Sequence, residues 1–298
     1  MWYGTIQLNC RKKKPASDIG TTYFHTYVTM ENVIQCVYDF YREYKDTIKE
    51  SHGYQHAMNV YHHSVKALDS LQQQEVELDE VTIMEVQLAS LLHDVDDTKY
   101  FPNNTNYENA KHILSQSNIL LNTTDDSGGG GAGGCSMDRI LKMISWVSCS
   151  QHGNTVPEYV KTSGKYYMLI PRWSDRLEAV GIRGVIRCYQ YNREHGHPLF
   201  STIHSPRPQT VEEVWTYATP ERFHAYTTST ITTGSTDMIS HYYDKLLHIA
   251  QPPKHIVQNT YLESMAEHSC QPLLDICIRY GQTGTVDETY IQSLSPSS

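Results

Sequence analysis

The stretch LASLLHDVDDTKYF, residues 88–101, decides how the chain is read. Leu88, Ala89, Leu91 and Leu92 have the spacing of the buried side of a helix, and the run ends in His93-Asp94. Two more carboxylates follow, Asp96 and Asp97, and then the cation Lys99. A helix that dives into a core and ends in His-Asp carries metal-ligating groups to a protected place. A helix that stops at solvated, turn-forming Asp residues has the same local sequence. The stretch alone leaves both readings open. Asp96 is expected to face solvent.

The flanking segments read as helices. Residues 29–50 place Val33, Val37, Phe40, Tyr41 and Tyr44 at three- and four-residue steps, ending near Ser51-His52-Gly53. Residues 53–74 bring His56, Val60, Ser64, Ala67, Leu68 and Leu71 to one face, with His52 one turn before His56. Asp79 is the expected N-cap of a helix over 79–95, and Asn103, Asn104 and Thr105 are cap candidates for the next, over 103–121. Residues 136–149 read as another amphipathic helix. The run YYMLIPRWSDRLEAVGIRGVIRCYQYN, 166–192, predicts one buried helix with Asp175 among Leu169, Trp173, Leu177, Val180, Val185 and Ile186. An Asp in that setting is costly unless paired or bound. Arg172 or Arg176 offers a salt bridge; a metal is the alternative. Helices are also expected over 211–224, 234–250 and 256–280. No strand-length blocks of Val, Ile and Thr occur, so the fold class is all-α.

Composition narrows the function. The 298 residues suffice for one large domain or two ordinary ones. A net charge of −9 argues against general nucleic-acid binding, which needs a basic surface. The 22 Tyr, against 5 Phe, suit the edge of a core or a polar cleft. Seven Cys with no CxxC spacing read as free thiols in a reducing compartment. No apolar run is long enough for a membrane span, and the N-terminus lacks the order of a signal peptide, so the expected location is cytoplasmic. The basic run Arg11–Lys14 reads as a solvated tail. DDSGGGGAGG, 125–134, lacks the Lys-Ser of a phosphate-binding loop and reads as a flexible surface insertion. The tail SLSPSS reads as disordered.

What remains is a constellation: His56, His93-Asp94 and Asp175, each in a helical, apolar setting. Two imidazoles and two carboxylates suit one divalent metal of the Mn, Mg, Co, Ni or Fe kind, with Mn favoured. Such a metal acidifies water and takes up charge on a phosphoryl oxygen. Asp97, one turn past His93, is placed to orient that water or act as general acid or base. Lys99 could pair with phosphate as a point charge.

This pattern resembles the HD-domain phosphohydrolases, which place a His on one helix, His-Asp on the next and a distant Asp on a later one. The segments SHGYQHAMNVYHHSVKAL, LLHDVDDTKYF, IPRWSDRLEAVGIRGVIRCYQYN and SHYYDKLLHI widen the match. They look like a soluble branch of bacterial and fungal proteins that includes bacterial nucleotide pyrophosphatases. The resemblance covers residues 29–250, an HD domain with a flexible insertion at 122–136. Residues 1–28, an N-terminal extension, and 251–298, a C-terminal helix and tail, lie outside it. It implies a helical bundle with His56, His93, Asp94 and Asp175 as metal ligands. It further implies catalytic roles for Asp97 and His52, and substrate contacts from Lys99 and from Arg207. The last lies in HSPRPQT, where Ser205-Pro206 replaces the Thr-Pro of relatives. Arg176, Glu178, His62, His63 and His241 are expected to be structural. The implied reaction is hydrolysis of a small phosphorylated substrate, a nucleotide, with a triphosphate giving monophosphate and pyrophosphate. A 5′-nucleotidase or phosphodiesterase is the alternative within the superfamily. A non-catalytic nucleotide- or phosphate-sensing module is the alternative from another class. A two-metal oxygenase would need further ligands, and His62 and His63 lack the spacing.

Overall fold

Apolar residues at helical steps build helix after helix in a computed structural model that describes residues 30–49, 52–122, 134–228 and 235–294. The expectations for the N-terminal extension, the Ser51 cap, the body of the Gly-rich insertion and the final tail lie outside these residues. The helices are α1 (Met30–Glu43), α2 (Tyr54–Gln73), α3 (Glu80–Leu91), α4 (Glu108–Gln116), α5 (Met137–Ser145), α6 (Cys149–His152) and α7 (Glu158–Ser163). They continue with α8 (Ile170–Glu178), α9 (Gly181–Glu194), α10 (Val211–Tyr217) and α11 (Pro220–Thr228). Next come α12 (Met238–His241), a π-helical turn (Tyr242–Leu246) and α13 (Leu247–Ala250), which form one continuous rod. The chain closes with α14 (Lys254–Val257), α15 (Thr260–Thr283) and α16 (Glu288–Ser293). Among the described residues the sole strands are a two-residue parallel pair, Leu121–Asn122 with Cys135–Ser136, at the foot of the Gly-rich insertion. The all-α expectation holds.

The helices α2, α3 and α8 pack against one another and set the frame of the site. The apolar stripe of α2 buries His56, Ala57, Val60, Ser64, Ala67, Leu68 and Leu71, as its spacing requires. Asp79 caps α3, accepting from the Thr82 N–H at 2.6 Å. That helix ends at Leu91, so His93 and Asp94 ride on the turn after it.

Two expectations are corrected here. Asp96 does not face solvent. It is 9% exposed, and its carboxylate accepts the Asn109 N–H, the Ala110 N–H and the Asn104 amide, each at 2.9 Å. It therefore does the capping expected of Asn103, Asn104 or Thr105, placing a negative charge on the first turn of α4. The Asp96→Ala variant should lose about 2 kcal/mol, because buried backbone donors lose their acceptor. Thermal unfolding followed by circular dichroism should show a midpoint lower by several degrees, with metal content unchanged.

The second correction concerns 166–192, which is not one helix. A 3-10 turn (Tyr166–Leu169) leads into α8, and the chain then breaks at Ala179-Val180 before α9. Val180 is extended and Gly181 takes φ +68°, a conformation that favours glycine. At Gly184 a Cβ would lie 2.2 Å from the Ala179 carbonyl oxygen, so the tight bend needs a glycine there too. Apolar periodicity ran through the bend because both helices bury one side.

The bend also separates two apolar clusters. One gathers α1 to α5 with Trp173 and Leu177 of α8; the other gathers Val180 and Val185 with Tyr242, Tyr243, Leu273 and Cys277. Helix α15 packs on α2, α8 and α9. Its N-cap Asn259 accepts the Leu262 N–H at 3.0 Å and donates to the Ala67 carbonyl of α2 at 2.8 Å.

Candidate metal centre

Four side chains from three places in the chain converge. His56 projects from the buried face of α2, His93 and Asp94 from the turn after α3, and Asp175 from α8. The two Nε2 atoms are 3.1 Å apart. Asp94 Oδ2 lies 3.4 Å from His56 Nε2 and 3.2 Å from His93 Nε2. Asp175 Oδ1 lies 3.3 Å and 3.6 Å from the same two atoms. Ligand atoms about 2.1 Å from one ion stand about 3.0 Å apart in an octahedron and about 3.4 Å apart in a tetrahedron. His56, His93 and Asp175 hold their ligand atoms within 4.8 Å of one another, as a shared ion requires, and Asp94 Oδ2 adjoins both imidazoles at edge-like separations.

The ring orientation fits as well. His93 Nδ1–H donates to the Ser90 carbonyl at 2.9 Å, which turns Nε2 toward the centre. His56 Nδ1 is buried without a partner among the described residues. Burial by itself would pull both imidazoles down, but Asp94 and Asp175 outweigh it and hold His56 above and His93 well above the usual value. Burial opposes ionisation of the two aspartates, yet the imidazoles keep both well below the usual carboxylate range. The group is charge-paired internally, and its two-nitrogen, two-oxygen donor set suits one hard-to-borderline divalent ion.

The scaffold under Asp175 is unusual. Arg172 and Arg176 flank it, both buried, and neither pairs with it. Arg172 donates to the Trp146 carbonyl at 2.7 Å and the Thr155 carbonyl at 2.8 Å. Arg176 donates to Asn154 Oδ1 at 2.6 Å and to the Gly153 carbonyl. In place of the salt bridge to Asp175 that the sequence left open, both arginines donate to amide and peptide carbonyl oxygens that clamp residues 146–155 onto α8. Burial brings Arg172 down to about 9, which still leaves it charged at neutral pH. Trp146 caps the C-terminus of α5, where a cation is favoured.

Glu178, at the end of α8, ties three helices together, α2, α8 and α9. It accepts from Asn59 at 2.8 Å and Arg183 at 3.0 Å, and His63 stands 3.3 Å away. Those contacts outweigh burial and hold it at about 2. His63 also meets the Tyr261 hydroxyl of α15 at 2.7 Å.

The remaining expected site residues divide. His52 sits on the turn before α2, its ring 6.0 Å from that of His56, with the Tyr100 hydroxyl 3.4 Å from Nδ1. Burial lowers it to about 4 despite the charge of Asp94, so it is a neutral imidazole at pH 7. Asp97 and Lys99 are paired with each other: Oδ1 accepts the Lys99 N–H at 2.9 Å and Oδ2 lies 3.4 Å from Nζ. Arg207 is elsewhere. Its guanidinium donates to the Gly281 carbonyl at 3.4 and 3.2 Å, at the far end of α15 from Tyr261, a separation of about 30 Å at the usual helical rise. It serves the C-terminal end of α15. The sequence reading also passed over Tyr41. Its hydroxyl is buried, has no partner among the described residues, and is held well above the usual phenol value by burial and by Asp94 and Asp97. Its place on the stripe of α1 looked like ordinary packing.

No helix among the described residues is long and apolar enough to cross a membrane. No protein-family model matches the chain. It is 34% identical over 240 residues to the uncharacterised protein L803 of Acanthamoeba polyphaga mimivirus, a match taking in 77% of this chain and 88% of that protein. A crystal structure from Lactobacillus plantarum aligns over 86% of this chain and 97% of its own, with a TM-score of 0.52 at 16% identity. An HD-superfamily hydrolase from Bacillus thuringiensis aligns over 89% and 98%, with a TM-score of 0.45 at 16% identity. The chain belongs to one family with the mimivirus protein L803, and its all-α fold brings His56, His93 and Asp175 within reach of one ion, with Asp94 beside both imidazoles.

Proposed function

We propose that this protein is a metal-dependent phosphohydrolase acting on a nucleotide, and that it splits a nucleoside triphosphate into the monophosphate and pyrophosphate. The convergence of two imidazole nitrogens and two carboxylate oxygens carries the reading. When bound there, a divalent ion supplies acidified water and a sink for negative charge. The protein's own groups have separate tasks. Asp94 and Asp175 stay ionised and hold the ion with the two imidazoles. Asp97 accepts the proton of the attacking water, and its pairing with Lys99 fixes its carboxylate on the turn. Lys99, 67% exposed at its side chain, can leave that pair for a phosphoryl oxygen. His52, neutral beside His56, offers a hydrogen bond to the substrate without adding charge.

The test is a panel of nucleoside triphosphates, monophosphates and cyclic diesters with Mn²⁺-loaded protein. Pyrophosphate should appear from at least one triphosphate and should cease with a chelator. Phosphate from monophosphates, or opening of a cyclic diester, with no pyrophosphate from any triphosphate, would make it a 5′-nucleotidase or phosphodiesterase. Full metal occupancy with no turnover of any ester would make it a sensing module.

A further inference from the structure

The metal ligands of α2 and α8 are not held in place by apolar packing alone. His56, Asn59 and His63 recur at three- and four-residue steps and share one face of α2, while Asp175 and Glu178 are three apart on α8. The two helices pack directly on each other. They meet at two polar rungs. On the first, His56 Nε2 lies 3.3 Å from Asp175 Oδ1. On the second, the Asn59 amide donates to Glu178 Oε2 at 2.8 Å, and His63 Nε2 stands 3.3 Å from Glu178 Oε1. Three residues of helix rise about 4.5 Å, so Asn59 and Glu178 follow the ligands by the same step on both helices.

The groups of the second rung are themselves fixed. Gln55 donates to Asn59 Oδ1 at 3.0 Å, which turns the Asn59 N–H groups toward Glu178. His63 Nδ1 is 2.7 Å from the Tyr261 hydroxyl of α15. From α9, Arg183 donates to Glu178 Oε2 and Arg187 to the Glu178 backbone carbonyl, each at 3.0 Å. A buried carboxylate is a costly way to join two helices. Apolar contact is non-directional and would join them as well. Directional bonds add register. Sliding or rotation of α8 on α2 would change the separation of His56 and Asp175, and the Glu178 rung opposes both motions.

We propose that Glu178, held by Asn59 and His63, is a positioning residue for the metal centre: it sets the register of α8 on α2, and with it the spacing of the ligands His56 and Asp175. The inference rests on the metal-binding reading of those ligands and is independent of the substrate. Its effect is on ion affinity, which separates it from a carboxylate that only ties helices. Glu85 is a tie of that second kind. It is buried on α3 and accepts from Arg139 of α5 at 2.8 Å and from the Ser136 N–H at 2.6 Å, eight residues before His93 in the chain.

The experiment is calorimetric titration of Mn²⁺ into chelator-stripped protein, with the visible absorption of the Co²⁺-loaded form as a reporter of ligand geometry. E178A and N59A should each weaken Mn²⁺ binding about tenfold or more and alter the Co²⁺ spectrum. E178Q should recover most of the affinity, because its amide oxygen still accepts from Asn59 and its N–H still faces His63. E85A should lower the melting temperature and leave both readouts at the parent's values. If E178A fails to fold, N59A carries the same test. Affinity within about twofold of the parent, with an unchanged Co²⁺ spectrum, in the folded variants would overturn the proposal. An equal loss in E85A would also overturn it, since affinity would then follow stability alone. A parent that binds no divalent ion would overturn the proposal and the metal reading together. Weakened binding in E178A and N59A, with no phosphate ester turned over by the parent, would uphold the positioning role and remove the phosphohydrolase reading.

Discussion

Asp94→Asn is expected to strip the protein of its divalent ion and to lower hydrolysis on the order of 10³-fold or more. Asn has the same shape, so the pocket stays filled and far-UV circular dichroism should not change. The loss is of charge. Asp94 Oδ2 faces both imidazole nitrogens, at 3.4 and 3.2 Å, and is the anion whose charge raises His93 most. An amide oxygen is a weak ligand, and its NH₂ group would compete with the metal for the same space. The contrast with Asp96, two residues on, makes the test specific. Removing Asp96 should cost stability and leave the metal bound, because that carboxylate is spent on the first turn of α4. Removing the charge of Asp94 should do the reverse. Metal analysis and melting curves on the two variants separate the roles.

The second large effect concerns pH. His56 and His93 lie above the ordinary imidazole value, burial opposing and the carboxylates prevailing. A raised value in the folded state means that the protonated rings stabilise the fold. That contribution is complete below the unfolded value of about 6.5 and is lost as pH rises through the folded values. Asp94 and Asp175 lie below the ordinary carboxylate value, again against burial. Their contribution is present above about pH 4 and is lost as pH falls through their folded values. The metal-free network therefore stabilises most between about pH 4 and 6.5.

A divalent ion takes the same four groups without protons, so binding displaces up to two. Its affinity should rise about ten- to a hundredfold per pH unit while the imidazoles remain protonated. Melting temperatures of chelator-treated and Mn²⁺-loaded protein, measured between about pH 5.5 and 8.5, should diverge. The metal-free midpoint should fall with rising pH, and the gap to the loaded protein should widen. Two parallel curves would show that metal and protons do not compete for one site.

The four converging residues were legible in sequence for a physical reason. His56 and Asp175 interrupt apolar helical stripes where a polar group needs a partner, and His93-Asp94 ends a third. Residues whose meaning depends on distant backbone were not legible. Asp96 reads as a solvated turn residue until α4 is seen to bring its N–H groups back to it. Arg207 sits in a segment that resembles a phosphate-binding loop, but its guanidinium meets the Gly281 carbonyl on a helix that the pattern did not include. The break at Val180-Gly181 was hidden because apolar spacing continues on both sides of it.

The most direct test of the account is anomalous diffraction from a crystal of the Mn²⁺-loaded protein. One ion is expected, bound by Nε2 of His56, Nε2 of His93 and a carboxylate oxygen from each of Asp94 and Asp175. A loaded protein with no anomalous peak between these four side chains, or with its ion held by other residues, would contradict it.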